Sequence, residues 1–233
     1  MNKEEFILEL KKIKIDITDE QIKQLDIYYE LLKEWNEKIN LTSMIDYEKV
    51  YLKHFFDSLT LNRVIDLKEK ITLCDIGTGA GFPGLVLKIV FPNLSVTLVD
   101  SLLKRVNFLN IVIDKLSLKD IVVFHARCED FFMNYANMFD IVTSRAVSNL
   151  KKLTMMCMPL VKKEGFFIPM KANCEEELQE AKETIIKMNG EIIFIDKFLL
   201  PKENSNRTLI KVKKNKETNI NHLKSLKKNI LSK

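Results

Sequence analysis

Glycine, proline and cysteine are scarce in this 233-residue chain, at six, five and four residues. No glycine or proline precedes Gly77, so nothing in the first third of the chain punctuates the tight turns of a sheet. Long apolar runs are also missing. None approaches the ~20 residues a membrane-spanning helix requires. The opening M-N-K-E-E-F-I-L-E-L-K-K has neither the apolar stretch nor the small-residue cleavage site of a secretory signal. Cys74, Cys128, Cys157 and Cys174 form no C-x-x-C pair and have no histidine at ligand spacing. That excludes a signalled zinc site or disulfide framework. Cys74 lies in an apolar strand pattern and reads as a small core residue. A cytosolic protein is expected, without metal or membrane partner and acting as a monomer.

What is present suits a soluble fold. Hydrophobic residues make up 46% and charged residues 30%, enough for a sizeable core beneath a polar surface. The net charge of +5 is uneven. Residues 211–233 hold eight lysines and one glutamate, a net of +7 that leaves −2 for residues 1–210. A basic end is commonly solvated, with phosphate binding the sharper reading. Leu223 to Ile230 could form a short amphipathic helix on an anion.

Residues 1–62 read as helical. Ile22, Leu25, Tyr29, Leu32, Trp35 and Ile39 follow the three-and-four spacing of one helix face. Thr18 with Gln21 fits a capping box, and Asp46 is placed to cap a further helix. From residue 71 strands alternate with helices. Strands are predicted at 71–76, 95–100, 121–126, 139–144, 165–170, 191–198 and 208–212. Only P-K-E-N-S-N-R separates the last two, so they form a hairpin and one strand is antiparallel. The expected architecture is α/β: a helical cap over 1–62, a mostly parallel sheet over 63–213 and a basic tail over 214–233.

Four of the six glycines fall in C-D-I-G-T-G-A-G-F-P-G, residues 74–84. A glycine-rich turn between a first strand and its helix lets a ligand touch backbone at the carboxyl edge of a sheet. The helix N-terminus favours electron-rich groups there, and Pro83 suits its first turn. Asp100, at the end of the second strand, can take both hydroxyls of a ribose, and Ser101 follows it. Two cofactor classes fit. Gly79–Gly84 matches the dinucleotide pattern G-x-G-x-x-G, and Gly77, Gly79 and Gly81 match the G-x-G-x-G loop of S-adenosylmethionine-dependent methyltransferases. Asp75 before the loop, the terminal hairpin and the short remainder after residue 150 favour the second. Asp75 can meet the cofactor's amino-acid part through a water or amide. Gly84 can also be read as packing.

The motifs N-L-T-S-M-I-D (40–46), K-H-F-F-D-S-L (53–59), D-I-G-T-G-A-G-F-P-G (75–84), D-S-L-L-K-R (100–105), R-C-E-D (127–130) and T-S-R-A-V-S-N-L (143–150) occur in that order. Over about residues 20–212 the chain resembles the bacterial small-subunit rRNA guanine-N7 methyltransferases, also called glucose-inhibited division protein B. The resemblance implies a Rossmann-like, seven-stranded methyltransferase sheet with an N-terminal helical cap. It implies S-adenosylmethionine as donor and a guanine of 16S rRNA as acceptor. It also implies cofactor contacts at Gly77, Phe82, Cys128, Glu129 and Arg145. Cys128 replaces an alanine usual in the family, a change that a backbone contact to adenine would survive.

Guanine N7 already presents a lone pair, so no general base is obligatory. His125 reads as structural, and His54 as packing or capping. Alignment of nucleophile, methyl and leaving group is what the reaction demands. Arg145, leaving the fourth strand at its carboxyl end, is the expected positioning residue; its guanidinium could bind phosphate, carboxylate or a stacked guanine. An ion pair with Asp75 or Glu129 is the plainer role. Lys53, Lys104, Arg105, Lys171 and Arg207 are candidate rRNA contacts, since phosphate contacts supply most sequence-independent affinity. Phe82 and Phe56 offer stacking faces, with core packing the default for Phe56. The rivals are an NAD-linked oxidoreductase, a non-catalytic RNA-binding protein, and a methyltransferase with another acceptor.

Overall fold

In the computed structural model, which describes residues 1–231, the N-terminal third is helical. α1 (Lys3–Lys12) and α2 (Asp19–Ile39) lead to α3 (Tyr47–Val50), a π-helical stretch Tyr51–Phe56, and α4 (Asp57–Leu59). The predicted caps are formed. Thr18 Oγ1 accepts from the Gln21 N–H and Gln21 Oε1 from the Thr18 N–H, and Asp46 accepts from the Lys49 N–H. Such bonds satisfy amides that a helix leaves orphaned in its first turn.

The rest alternates strand and helix: β1 (Thr72–Ile76), α5 (Gly84–Val90), β2 (Ser95–Asp100), α6 (Leu103–Lys115), β3 (Ile121–His125), α7 (Cys128–Tyr135) and β4 (Phe139–Arg145). Then come α8 (Leu150–Cys157), β5 (Val161–Lys171), α9 (Glu175–Lys187), β6 (Gly190–Leu199), β7 (Asn206–Lys214) and α10 (Leu223–Leu231). The seven strands lie in the order β3-β2-β1-β4-β5-β7-β6. β1 to β5 pair in parallel, and β7 slots antiparallel between β5 and β6. The antiparallel hairpin strand of the sequence reading is thus an inner strand. The order reverses at β1 and β4, where neighbours run outward on either side; open α/β sheets bind ligands at the carboxyl ends of such strands.

Strand residues alternate between two cores, as the pleat requires. Leu73, Val96, Leu98, Ile141 and Ile168 face one with the N-terminal helices, α5 and α6. Cys74, Ile76, Val99, Val142 and Phe167 face the other with α7, α8, α9 and α10. Gln21 ties the cap to α5 by donating to the Ile89 and Val90 carbonyls at the end of that helix. No helix among the described residues is long and apolar enough to cross a membrane.

Candidate functional site

Two cavities open near the carboxyl ends of β1 to β5. The first, about 430 Å³, is lined by Gly77 after β1, Asp100 and Ser101 at the end of β2, and Arg127, Cys128 and Glu129 at the start of α7. Val147, Lys152, Met156, Ile230 and Leu231 complete much of its wall. Asp100 is 3% exposed. Its Oδ2 accepts from the Gly79 N–H at 2.9 Å and its Oδ1 from the Leu102 N–H at 2.9 Å, which locks the loop to β2. Arg105 Nη1 stands 3.5 Å from the same carboxylate. The Cys128 thiol donates to the Met156 carbonyl, and burial pushes its pKa up, so it is a packed neutral group.

The glycines of the loop serve different ends. A Cβ on Gly81 would fall 2.6 Å from the Tyr28 hydroxyl, and one on Gly84 2.4 Å from Leu98 Cδ2. Tyr28, on α2, is fully buried and donates to the Ala80 carbonyl. Gly81 and Gly84 therefore let the cap and β2 approach the loop. Gly79, by contrast, has φ +63 and open space where its Cβ would be, the Gly77 carbonyl oxygen lying 4.0 Å away.

Asp75 lies beneath the loop, wholly buried. Its Oδ2 accepts from Thr78 Oγ1 at 2.7 Å and the Gly84 N–H at 2.8 Å, while its Oδ1 has no partner among the described residues. Burial raises its pKa to about 6, against the lowering effect of those two bonds.

The second cavity, about 410 Å³, is lined by Lys53, His54, Asp57, Arg145, Lys171 and Arg207, with Met44, Met170 and Glu177 among others. Its organising group is Asp57. One carboxylate oxygen accepts from Arg145 Nη1 at 3.1 Å and the other from Arg207 Nε at 2.9 Å. Arg145 Nη1 also donates to the Lys53 carbonyl at 2.9 Å, and Nη2 lies 3.3 Å from His54 Nδ1. A guanidinium only donates, so Nδ1 accepts and the His54 proton sits on Nε2, facing Thr42 Oγ1 at 2.9 Å. Burial, then the Arg145 charge, lower the His54 pKa to about 3, which keeps this tautomer neutral. The ring stacks on Phe82 at 4.4 Å, and the Arg145 guanidinium lies 5.2 Å over the same ring. The π-helical stretch carries Lys53 and His54 and runs straight into Asp57; such widened turns are uncommon and cluster at functional sites.

A short stretch of chain divides the cavities. Arg145 and Ala146 line the second and Val147 the first. Ala146 takes φ +56, a left-handed conformation rare for a residue with a Cβ.

Of the expected cofactor residues, Gly77, Asp100, Ser101, Cys128 and Glu129 meet around the first cavity. Asp75, Gly79 and Gly81 shape the loop from behind, and Phe82 is packed beneath Arg145 and His54. Arg145 itself faces the second cavity and pairs with Asp57, not with Asp75 or Glu129. Of the expected RNA contacts, Lys53, Lys171 and Arg207 line the second cavity, each in an ion pair with Glu203, Glu177 or Asp57. Lys104 and Arg105 lie on α6, away from it. Phe56 is core. Asp57, Thr42 and Lys152 were missed; the only signal for Asp57 was its place in the K-H-F-F-D-S-L motif.

The family model for rRNA small subunit methyltransferase G matches residues 21–210. A ribosomal RNA small subunit methyltransferase G from Oceanobacillus iheyensis is 46% identical over 221 residues, covering 94% of this chain and 93% of that protein. One from Lysinibacillus sphaericus is 47% identical over 212 residues, covering 90% and 89%. Among solved structures, Aeropyrum pernix fibrillarin in complex with S-adenosyl-L-methionine shares the fold with a TM-score of 0.51 at 11% identity, over 64% of this chain and 68% of its own. The chain belongs to the rRNA small subunit methyltransferase G family.

Proposed function

We propose that the protein transfers a methyl group from S-adenosylmethionine to N7 of a guanine in 16S rRNA, with the donor in the first cavity and the base in the second. The division of two similar cavities by Arg145–Ala146–Val147 carries this reading. One side offers a ribose-binding acid and an apolar slot; the other offers cations and a planar guanidinium.

The residues present fit the donor. Asp100 stands where an adenosine ribose is bound in this fold, and the unpartnered Asp75 Oδ1 is a buried acceptor for the cofactor's ammonium or a water bound to it. When bound, the cofactor supplies an electrophilic methyl group on a sulfonium. Cys128 and Glu129 offer backbone and carboxylate to the adenosine end.

Around the second cavity the chain positions and does not deprotonate. His54 is neutral with both nitrogens engaged, so it is not available as a base. N7 loses no proton on methylation, so none is required. Asp57, the Lys53 carbonyl and His54 hold the Arg145 guanidinium in one plane. A cation so fixed can bind guanine O6, whose acceptor strengthens as charge develops, or the adjoining phosphate. Lys53, Lys171 and Arg207 supply further phosphate contacts.

The test is tritiated S-adenosylmethionine with small subunits, or their rRNA, from cells lacking this protein, followed by nucleoside analysis. Label in 7-methylguanosine at one site is expected. Label in another nucleoside, or none in any RNA, overturns the acceptor assignment.

A further inference from the structure

Residues 214–231 lie beyond the stretch that the family model matches, which ends at 210. They are nonetheless built into the molecule. Lys214 is fully buried, and its ammonium donates to the Met158 carbonyl and to Thr218 Oγ1. Asn137, before β4, donates to the Thr218 carbonyl at 3.0 Å and accepts its N–H at 2.9 Å. α10 then lays Leu223, Leu226 and Ile230 into the core it shares with α7 and α8. Lys227 pairs with Asp130 on α7.

That packing brings the end of α10 to the first cavity. Ile230 and Leu231 are part of its lining, beside Met156, Val99 and Val147. Ile230 is buried, whereas Leu231 is 55% exposed, a large apolar side chain left half in water at the rim. The helix on which α10 rests, α7, begins with Cys128 and Glu129 of the same cavity. Lys224 and Lys228 point away from the core and are exposed. α10 is thus amphipathic: its apolar face meets the cavity's own walls, and Lys224 and Lys228 face solvent.

We infer that α10 is a wall of the donor site: Ile230 and Leu231 cover the adenosine of S-adenosylmethionine, and Lys227–Asp130 holds the helix in place. This rests on the methyltransferase reading above. An adenine offers flat apolar faces, and ligand cavities bind such faces with apolar side chains around a few placed polar groups. The first cavity has its polar groups in Asp100, Ser101 and Glu129; α10 supplies apolar cover.

The experiment uses the full chain and three full-length variants: Leu231→Ser, Lys227→Glu and, as a control on the solvent face, Lys224→Ser. Calorimetry with S-adenosylmethionine gives affinity, and amide hydrogen exchange across α10 is read with and without it. Leu231→Ser and Lys227→Glu are each expected to weaken binding about fivefold, with Lys224→Ser unchanged. The cofactor is expected to slow exchange in α10 of the parent chain. A parent that binds, with all three variants binding equally and α10 exchange unaltered, overturns the wall while leaving the methyltransferase reading intact. A parent that does not bind overturns that reading, and the wall with it.

Discussion

The N-terminal cap and the C-terminal helix pack on opposite faces of one sheet, and each reaches the lining of a cavity. The cap contributes polar groups: Lys53, His54 and Asp57, all bonded to Arg145. α10 contributes Ile230 and Leu231, two apolar side chains. The contrast follows from the proposed occupants. A nucleobase with its phosphate needs fixed charge, and a charge buried with few partners must be held by a network. An adenosine needs a slot with one acid for its hydroxyls. Damage at the cap end should therefore be abrupt and at the tail end graded.

The largest effect is expected at Asp57. Asp57→Ala leaves Arg145 and Arg207 largely desolvated without a counter-charge, and unfolding free energy should fall by about 3 kcal/mol. Urea unfolding measures it; a loss no greater than that of an exposed ion pair would refute the network. Next comes Arg145→Lys, which keeps the charge and loses the planar fork. Turnover is expected to drop about 100-fold with cofactor affinity preserved, since misplacement alone costs that much. Wild-type turnover in this variant would remove Arg145 from positioning the base.

A third prediction separates the buried titratable groups beneath the two sites. Asp75 is raised to about 6 from 3.8, so between those values the folded chain keeps a proton the unfolded chain has lost. Its contribution to stability therefore declines as pH rises through that window. His54 is lowered to about 3 from 6.5, so the unfolded chain takes up the proton first as pH falls. Its contribution declines on acidification from 6.5 toward 3. Asp75→Asn should gain on the parent as pH is raised from about 4 to about 7, and His54→Gln should gain on it as pH is lowered across the same range. Profiles parallel to the parent's in both variants would contradict the assignment. The smallest effect belongs to Lys53, whose pair with Glu203 is part-exposed. Lys53→Ala should shift stability by less than about 0.5 kcal/mol, yet lower the salt slope of rRNA binding by about one.

The sheet was legible because its strands are apolar runs and its one glycine cluster marks the first turn. Both cap signals, at Thr18 and Asp46, worked because capping is a local bond. The first cavity was half legible. Gly77, Asp100 and Ser101 sit at predictable strand ends, but Lys152, Ile230 and Leu231 reach it through tertiary packing that no local pattern announces. The strand-end position of Arg145 is legible in the sequence, whereas its partner is Asp57 and not the expected Asp75 or Glu129. Asp57 is distant in sequence and is aimed by a π-helical turn, and apolar periodicity carries no trace of that turn.

The place of β7 bears on how the molecule is made. The strand is the last in sequence yet lies inside the sheet, between β5 and β6, and it carries Arg207, which pairs with Asp57 in the cap. During synthesis from the N-terminus the cap and the first five strands emerge early, but the long-range pairing that completes both the sheet and the second cavity waits for the final tenth or so of the chain. A nascent chain at that stage presents β5 with one edge open, which is the kind of surface that recruits wrong partners. An N-terminal fragment stopping short of Asn206 should therefore be prone to associate through that edge, and the Arg207–Asp57 pair of the second cavity is among the last contacts the protein acquires.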